Sequence, residues 1–434
     1  MTGPVRRCLR GSRCAAMRNI GPTAWYWGLL IPMLLLPDTV SAQLLQGIPR
    51  SPIETMSGST ERMPEGWYVM PWVATGVVYD DNVFFTTRDR KQDDVFLRVT
   101  PGLQGSYQST PLTVIANYRF DSEVYNKLSN LSHFTQRQFG TLELRGRPSN
   151  NLNVNGILGY AQTRTPYELN FLTSAQTARI NTERVFISPN AEYRPNSLTR
   201  FRAEYGYSRD TFDDNITIDS NIVNLGMERR VGTHDWIGPA YVGRHFRFGG
   251  DFSQPGVGFL GGNPEPVDSY ALMASWAHDF TADTRLDVRA GPRLTDGKID
   301  DRPEAFVGLR KRIQNGEIAL AYTSALTTVI GTVGATRTDS VVARFVYEPV
   351  RHLTFTISPT AAWIKSTTFT STVYTGYVEA AYQFNKYVTA KGSAYFSYQE
   401  GDFVSTEGAT ETLIIPRNVY WLRLEFTYPT RWDY

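Results

Sequence analysis

Residues 112–121 read Leu-Thr-Val-Ile-Ala-Asn-Tyr-Arg-Phe-Asp, and this short segment shows a pattern that recurs along most of the chain. Neighbouring side chains of a β-strand point to opposite faces. One face of such a strand would carry Leu112, Val114, Ala116, Tyr118 and Phe120. The other face would carry Thr113, Asn117, Arg119 and Asp121. The segment therefore predicts a strand with one apolar face and one polar, charged face.

The same alternation recurs between Met70 and Pro429 in about eighteen segments of roughly ten to fifteen residues. The last of them, Tyr420–Tyr428, again sets aromatic and leucine side chains against arginine and glutamate. In a soluble sandwich, a second sheet would have to bury these charged residues in strand after strand. A water-filled lumen removes that cost, so the pattern favours a membrane barrel.

Short and long connections between the predicted strands alternate along the chain. Short links include Pro148–Asn151 and Gln314–Asn315, and long ones include Pro166–Asn181 and Gly249–Pro266. This rhythm is typical of barrels with short periplasmic turns and longer outer loops. We predict an all-β fold, a transmembrane antiparallel up-and-down outer-membrane β-barrel of about eighteen strands. A count of about sixteen stays open, because residues 296–303 and 330–339 are hard to partition.

Composition narrows the class of protein. The mean hydropathy is −0.31, and no apolar run long enough for a spanning helix follows residue 42, which excludes an α-helical membrane protein. A net charge of +2 gives no sign of nucleic-acid binding. Aromatic residues, 13% of the chain, gather near predicted strand ends as interfacial girdles do, although β-sheets are rich in them generally. The predicted girdle residues are Tyr79, Phe84, Phe85, Tyr125, Tyr160, Phe212, Trp276, Phe280, Trp363, Phe384, Tyr398 and Trp421.

The N-terminus predicts export from the cytoplasm. Several arginines precede an apolar stretch over Ala24–Pro37, and the small residues Val40-Ser41-Ala42 follow it. This is the arrangement of a secretory signal peptide, residues 1–42, cleaved after Ala42. Residues 43–66 predict a flexible periplasmic segment, and residues 67–434 predict one barrel domain in the outer membrane of a Gram-negative bacterium.

Reactive groups are sparse. Both cysteines, Cys8 and Cys14, precede the apolar stretch, so the mature chain would carry no thiol. The five histidines show no metal-ligand spacing. Neither a Gly-x-Ser-x-Gly sequence nor a glycine-rich phosphate cradle is present. We therefore expect no enzyme activity, no cofactor and no metal. An outer-membrane hydrolase with serine, histidine and aspartate on neighbouring strands stays an alternative.

The polar face of the predicted strands is rich in arginine. The candidate lumen-lining residues are Arg98, Arg119, Glu123, Arg137, Glu143, Arg145, Arg200, Arg202, Glu204, Arg285, Asp287, Arg289, Arg344, Arg423 and Glu425. An excess of arginine in a pore would favour anionic solutes or acidic sugars. The alternative is that these residues pair across strands and only stiffen the wall.

Two further patterns bear on loops and strands. Acidic clusters at Asp80-Asp81-Asn82, Asp93-Asp94, Asp213-Asp214-Asn215 and Asp300-Asp301 could hold divalent cations, but turn closure is the favoured interpretation. Prolines occur inside predicted strands at Pro101, Pro189, Pro239, Pro292 and Pro359. Since proline lacks the donor that a strand ladder needs, these positions predict bulges or bends in the wall.

The opening strands carry a family resemblance. Trp72–Tyr79, running into Asp80-Asp81-Asn82-Val83-Phe84, and then Phe96–Leu103, resemble the start of the β-barrel porin type 2 family. The resemblance extends from Gly66 to the C-terminus, and it implies an outer-membrane barrel. Some family members resemble barrels encoded with exopolysaccharide biosynthesis and export systems. The segment Pro429–Tyr434, after the last strand, departs from the usual aromatic ending of that strand.

Together these patterns predict a non-enzymatic outer-membrane barrel with a water-filled, porin-like path for polar solutes, exopolysaccharide being one candidate. The expected partners are outer-membrane lipid and lipopolysaccharide, a polar solute or polysaccharide, and a periplasmic export partner reached through residues 43–66. A structural barrel with a plugged lumen is the second interpretation, and the hydrolase is the third.

Overall fold

The computed structural model describes residues 65–170, 172–177, 179–212, 216–250, 265–296, 301–332, 334–366, 369–404, 410–428 and 430–432. The predicted signal peptide and nearly all of the segment 43–66 lie outside these ranges, and Gly66 already begins the first strand. Among the described residues, short 3₁₀ turns occur at Arg88–Arg90, Ser129–Leu131 and Pro166–Glu168. In the part of the chain described, no helix is long and apolar enough to cross a bilayer.

Within these ranges the strands form one antiparallel sheet of 20 segments. They are β1 (Gly66–Asp80), β2 (Asp94–Gln108), β3 (Leu112–Tyr125), β4 (His133–Ser149), β5 (Leu152–Thr163), β6 (Thr182–Asn196), β7 (Thr199–Phe212), β8 (Ile216–Val231), β9 (Asp235–Gly249), β10 (Val267–Thr281), β11 (Thr284–Gly291), β12 (Arg293–Thr295), β13 (Glu304–Ile313), β14 (Gly316–Thr328), β15 (Ala335–Val350), β16 (Leu353–Lys365), β17 (Phe369–Asn385), β18 (Val388–Val404), β19 (Thr410–Thr427) and β20 (Thr430–Trp432).

The sheet closes on itself. β1 pairs with β2 along its whole length and with β19 from Trp72 to Asp80, so the first and last strands are neighbours. β11 and β12 both pair with β10 and form one wall strand interrupted at Pro292, and β19 and β20 both pair with β1. The wall therefore has 18 strands, which confirms the preferred count over sixteen.

The two faces of the wall differ in polarity. Apolar side chains such as Leu225, Leu272 and Leu422 are 48%, 63% and 67% exposed. The opposite face makes contacts between strands that are not neighbours, such as Arg244 of β9 with Glu304 of β13 at 2.5 Å. Such contacts pass through the interior, so the charged face is the inner face. The apolar face is the outer one, as in barrels that stand in lipid.

The aromatic residues divide between these faces. Tyr79, Trp276, Phe280, Trp363, Phe384 and Tyr398 are exposed, as interfacial side chains would be. Phe85, Tyr125, Phe212 and Trp421 are at most 8% exposed, so their assignment to a girdle was wrong. These four pack inside the barrel because they lie on the inner face or in loops that fold inward.

The prolines interrupt ladders without shifting them. Around Pro189, Ile187 still faces Tyr207 and Asn190 faces Glu204. The same register holds on both sides of Pro101, Pro239 and Pro359, and Pro292 separates β11 from β12. The expected bulges are therefore absent at these prolines. Register shifts occur mainly beside short turns, for example between Gly146 and Ser149, where the chain reverses.

The outer apolar face predicts a depth-dependent cost for charge. Leu225→Arg, in the middle of β8, should lower the free energy of unfolding by about 2–4 kcal/mol because the guanidinium would lie in hydrocarbon. Val231→Arg, at the end of the same strand, should cost about 0–1 kcal/mol. Denaturant titration of the refolded barrel in lipid vesicles measures both values. Equal costs at the two positions would contradict a lipid-facing belt.

Candidate functional site

The fifteen candidate residues share the inner face, and many of them form ion pairs. Pairs within the set are Arg98–Glu123, Arg137–Glu123, Arg145–Glu143 and Arg285–Asp287. Pairs that bring in other residues are Arg137–Asp121, Arg137–Glu168, Arg200–Glu228, Arg202–Glu192, Arg423–Glu379 and Glu425–Lys391. Much of the arginine charge is therefore matched by acids on the same face.

The remaining four residues of the set have other surroundings. The guanidinium carbons of Arg119 and Arg289 lie 4.6 and 5.5 Å from the ring centres of Phe139 and Phe306. Glu204 lies between Asn190 and Asn224 in the sheet register, and Arg344 lies opposite Ala319. No single cluster unites the fifteen residues, which are spread around the wall.

Solvent reaches part of this charged face. The side chains of Arg98, Arg145 and Arg285 keep 21%, 28% and 23% of their surface exposed, although each is in an ion pair. Arg137 and Arg200 are almost completely buried. Ion pairs that retain water lose less solvation than pairs sealed in a dry core. The interior is thus hydrated beside some strands and packed beside others.

The packed part is built by a long loop. Residues 164–181, here called the inward segment, connect β5 to β6, with positions 171 and 178 outside the described residues. Its side chains Leu169, Asn170, Ala175 and Gln176 are 2–4% exposed. A surface loop would leave such groups in water, so this segment lies inside the barrel.

A buried asparagine ties the inward segment to the β14–β15 connection. Asn170 Nδ2 donates to the backbone oxygens of Ala175 and Ile330, each at 3.2 Å. The Ile330 backbone N–H donates back to Asn170 Oδ1 at 2.8 Å. Gly331 has a φ of +88°, and a Cβ there would lie 2.5 Å from Thr177 Oγ1. Glycine is therefore required where the two connections meet.

Contacts with β18 hold the same segment on another side of the barrel. The backbone N–H of Gln176 donates to Gln399 Oε1 at 2.7 Å, and Gln176 Nε2 donates to Ser397 Oγ. Both partners follow the inward segment by more than two hundred residues in sequence, at separations of 223 and 221. The segment thus bridges opposite parts of the wall.

Charged contacts hold its first turn. Glu168 Oε1 accepts from Arg137 Nη2 of β4 at 2.9 Å. Arg417 of β19 binds Asp80 at 2.6 Å, and its guanidinium lies 4.5 Å from the ring centre of Phe85 and 4.7 Å from that of Tyr167. Burial raises the pKa of the Tyr167 phenol above its usual value. Arg417 is therefore held between the loop that carries Phe85 and the inward segment that carries Tyr167.

Apolar side chains complete the filling at the long-loop end. One cluster joins Leu169 to Phe212, Ile216, Ile218, Ala161 and Ile330. Another joins Ala175 to Val329, Ala362, Ile364, Phe369 and Val373. Wall residues supply most members of both clusters. Near the long loops the inner face therefore combines apolar clusters with buried charged pairs, a mixture that a simple apolar-out, polar-in rule misses.

Carboxylates of the acidic clusters accept hydrogen bonds from backbone N–H groups and so fix the conformation of the loops. Asp80 Oδ1 accepts from the Asn82 backbone N–H at 3.0 Å, besides binding Arg417. Asp94 accepts from the backbone N–H groups of Lys127 and Leu128. Among the described residues, no three histidine, cysteine or acidic side chains come together as a metal site would need. Asp213-Asp214-Asn215 and Asp300 lie outside the described residues.

Histidine–acid pairs are also present in the wall. His133, His245 and His278 bind Glu123, Asp268 and Asp235. A hydrolytic triad would place a serine hydroxyl on the second ring nitrogen. In His245 that nitrogen accepts a hydrogen bond from Arg247, and in His133 it has no hydrogen-bond partner among the described residues. These two pairs therefore lack the geometry of a hydrolase.

The asparagine tie predicts a local loss of stability. Asn170→Ala leaves the buried Ile330 N–H without its acceptor, at a cost of about 1–3 kcal/mol. Hydrogen exchange of the amides around Ile330 should therefore become roughly five- to hundredfold faster. Asn385→Ala, which removes contacts to two backbone N–H groups in an exposed short turn, is the matched control. Unchanged exchange at Ile330 in Asn170→Ala would contradict the tie.

No family model matches the chain, and no curated protein sequence is significantly similar to it. Its structure is similar to that of OpdQ from Pseudomonas aeruginosa, with a TM-score of 0.41 and 10% identity over 84% of this chain and 98% of that one. OpdL from the same organism gives 0.39 and 9%, over 85% and 99%. A mutant ferric enterobactin receptor, PfeA from Pseudomonas aeruginosa, gives 0.39 and 7%, over 84% and 81%. Similarity this distant carries no argument about function.

Proposed function

We propose that this chain is a non-enzymatic outer-membrane barrel that carries polar solutes along a water-filled path, and that the inward segment narrows this path at the long-loop end. The main support for a water-filled path is the charged part of the inner face that solvent reaches. There, Arg98, Arg145 and Arg285 remain partly exposed inside the closed barrel. Charged side chains on an inner face that water reaches are typical of barrels with an aqueous lumen.

The outer face supports the membrane location. Its exposed apolar side chains would be costly in water as one continuous belt, and lipid removes that cost. In this setting the long loops face outwards and the short turns face the periplasm. Outer-membrane lipid and lipopolysaccharide would then surround the wall, and a periplasmic export partner would meet the short-turn end and residues 43–66.

The solute class follows from the arginines. Positive side chains that face water raise the local concentration of anions, so acidic solutes are favoured over cations. Exopolysaccharide, the cargo suggested by the family resemblance, is a narrower proposal within this class. Acidic sugar units would combine with the arginines, and their hydroxyls with the carboxylates beside them.

A structural barrel is the second candidate, and the inward segment is what favours it. Its ties to β4, the β14–β15 connection, β18 and β19 are those of a permanent filling. The two candidates differ in whether ions pass when that filling is removed.

Removal of the inward segment should open the path. A variant with residues 167–177 replaced by a short Gly-Ser linker should show a single-channel conductance several-fold above that of the wild-type barrel, because the narrowest part would be gone. Planar bilayer recordings of refolded, heat-modifiable protein measure this. Asn385→Ala, in a short turn, should keep the wild-type conductance. If neither the wild type nor the shortened variant conducts ions, the chain is a structural barrel instead.

Charge selectivity should be anionic and sensitive to salt. Across a potassium chloride gradient, the reversal potential should show preference for chloride. This preference should weaken as salt rises, because the Debye length falls from about 10 Å at 0.1 M to about 3 Å at 1 M. A preference for potassium would contradict the role given to the arginines.

A further inference from the structure

Two adjoining cavities lie against the inner faces of β1–β4 and β19, and the first of them also contacts the inward segment. Each has a volume of about 30 Å³. Arg98, Arg137 and Trp421 border both, and Tyr167 and Glu168 of the inward segment border the first. Since one water needs about 10–15 Å³ by this measure, each cavity has room for about two waters or for one small charged group.

The cavities are surrounded by an excess of positive charge. The first is bordered by Arg98, Arg137, Arg164, Arg179 and Arg417 and by the acids Asp80, Glu123 and Glu168. The second adds Arg119 and Arg423 against Asp121. Seven guanidinium groups therefore face four carboxylates. Glu379, which binds Arg423 at 3.1 Å, reduces the excess without removing it.

Hydrogen-bond donors also exceed acceptors here. Buried nitrogens on three of these arginines have no hydrogen-bond partner among the described residues, namely Arg179 Nε, Arg417 Nη1 and Arg423 Nε. A buried donor left without an acceptor costs about 1–3 kcal/mol. An incoming group with two anionic oxygens would supply acceptors and reduce the charge excess together. Guanidinium groups bind carboxylates well because two parallel hydrogen bonds form.

The site is reachable from the hydrated interior. The side chains of Arg98 and Arg423 are 21% and 13% exposed, whereas those of Arg137 and Arg417 behind them are 7% and 5% exposed. A carboxylate could enter between the exposed arginines while the rest of its molecule stayed in the lumen. The cavity volumes fit a carboxylate group but not a whole sugar ring.

We propose that these two cavities form a binding site for the carboxylate of an acidic sugar or a similar organic acid. The inference deepens the proposed function by naming the solute class, and it rests on that function only for the transport role. Trp421, which borders both cavities, offers an apolar surface beside the point of entry.

Calorimetric titration of the refolded barrel in detergent tests the site without any transport. Glucuronate and glucose are suitable probes, because they share a ring and differ in the carboxylate. Glucuronate should bind at least tenfold more tightly than glucose. Arg119→Gln should weaken glucuronate binding by roughly ten- to hundredfold, since a hydrogen bond to a charged group contributes about 1.5–3 kcal/mol. Arg209→Gln, which removes the same charge from the exposed Arg209–Asp219 pair, should leave the affinity unchanged.

Equal affinities for the two sugars, no binding of glucuronate, or equal losses in the two variants would each overturn the site. These outcomes are distinct from failure of the transport proposal. A barrel that conducts ions but does not bind glucuronate lacks the site and keeps the path. A barrel that binds glucuronate with the expected selectivity but never conducts has the site and lacks the path.

Discussion

The closed barrel, with its separate inner and outer faces, depends on the pairing of β1 with β19. A sheet edge in lipid would leave backbone N–H and C=O groups without partners, at a cost of several kcal/mol each. Closure of the sheet removes both edges. It also gives the sheet an inner face, towards the lumen, and an outer face. Because side chains alternate along each strand, the outside can be apolar only if the polar residues all face in. The enclosed charges must then find partners or water.

Much of this follows from local sequence. The alternation in Leu112–Asp121 assigns each side chain to a face, and the structure has Tyr118 exposed on the outside and Asp121 buried on the inside. The strand count also follows from local sequence, because a few neighbouring residues are enough to indicate each turn. The assignment of the fifteen candidate residues to the inner face rests on the same alternation. Period-two patterning is a property of single strands and needs no knowledge of the neighbours.

The rest depends on contacts between distant strands. Nothing near Arg137 in sequence indicates that Glu168 is its partner, because that pairing requires the inward segment to fold back against β4. Ile216 and Ile218 are apolar residues on the inner face, where they are buried against Leu169 and Ile330, and that burial depends on the inward segment. The bulges predicted at the prolines are also absent, because loss of one donor interrupts the ladder at Pro189 while the flanking pairs keep the register.

The inward segment belongs to the first half of the chain, but its partners Ile330, Ser397 and Arg417 belong to the second. Those partners take their places only when the late strands join the wall. These particular contacts therefore cannot form before the strands that carry the partners have joined the sheet. Until then the entropy of closing such long loops opposes the contacts. A wall that lacked β18 and β19 would leave Gln176 and Tyr167 without these partners, so the strands that close the barrel also hold the inward segment in place.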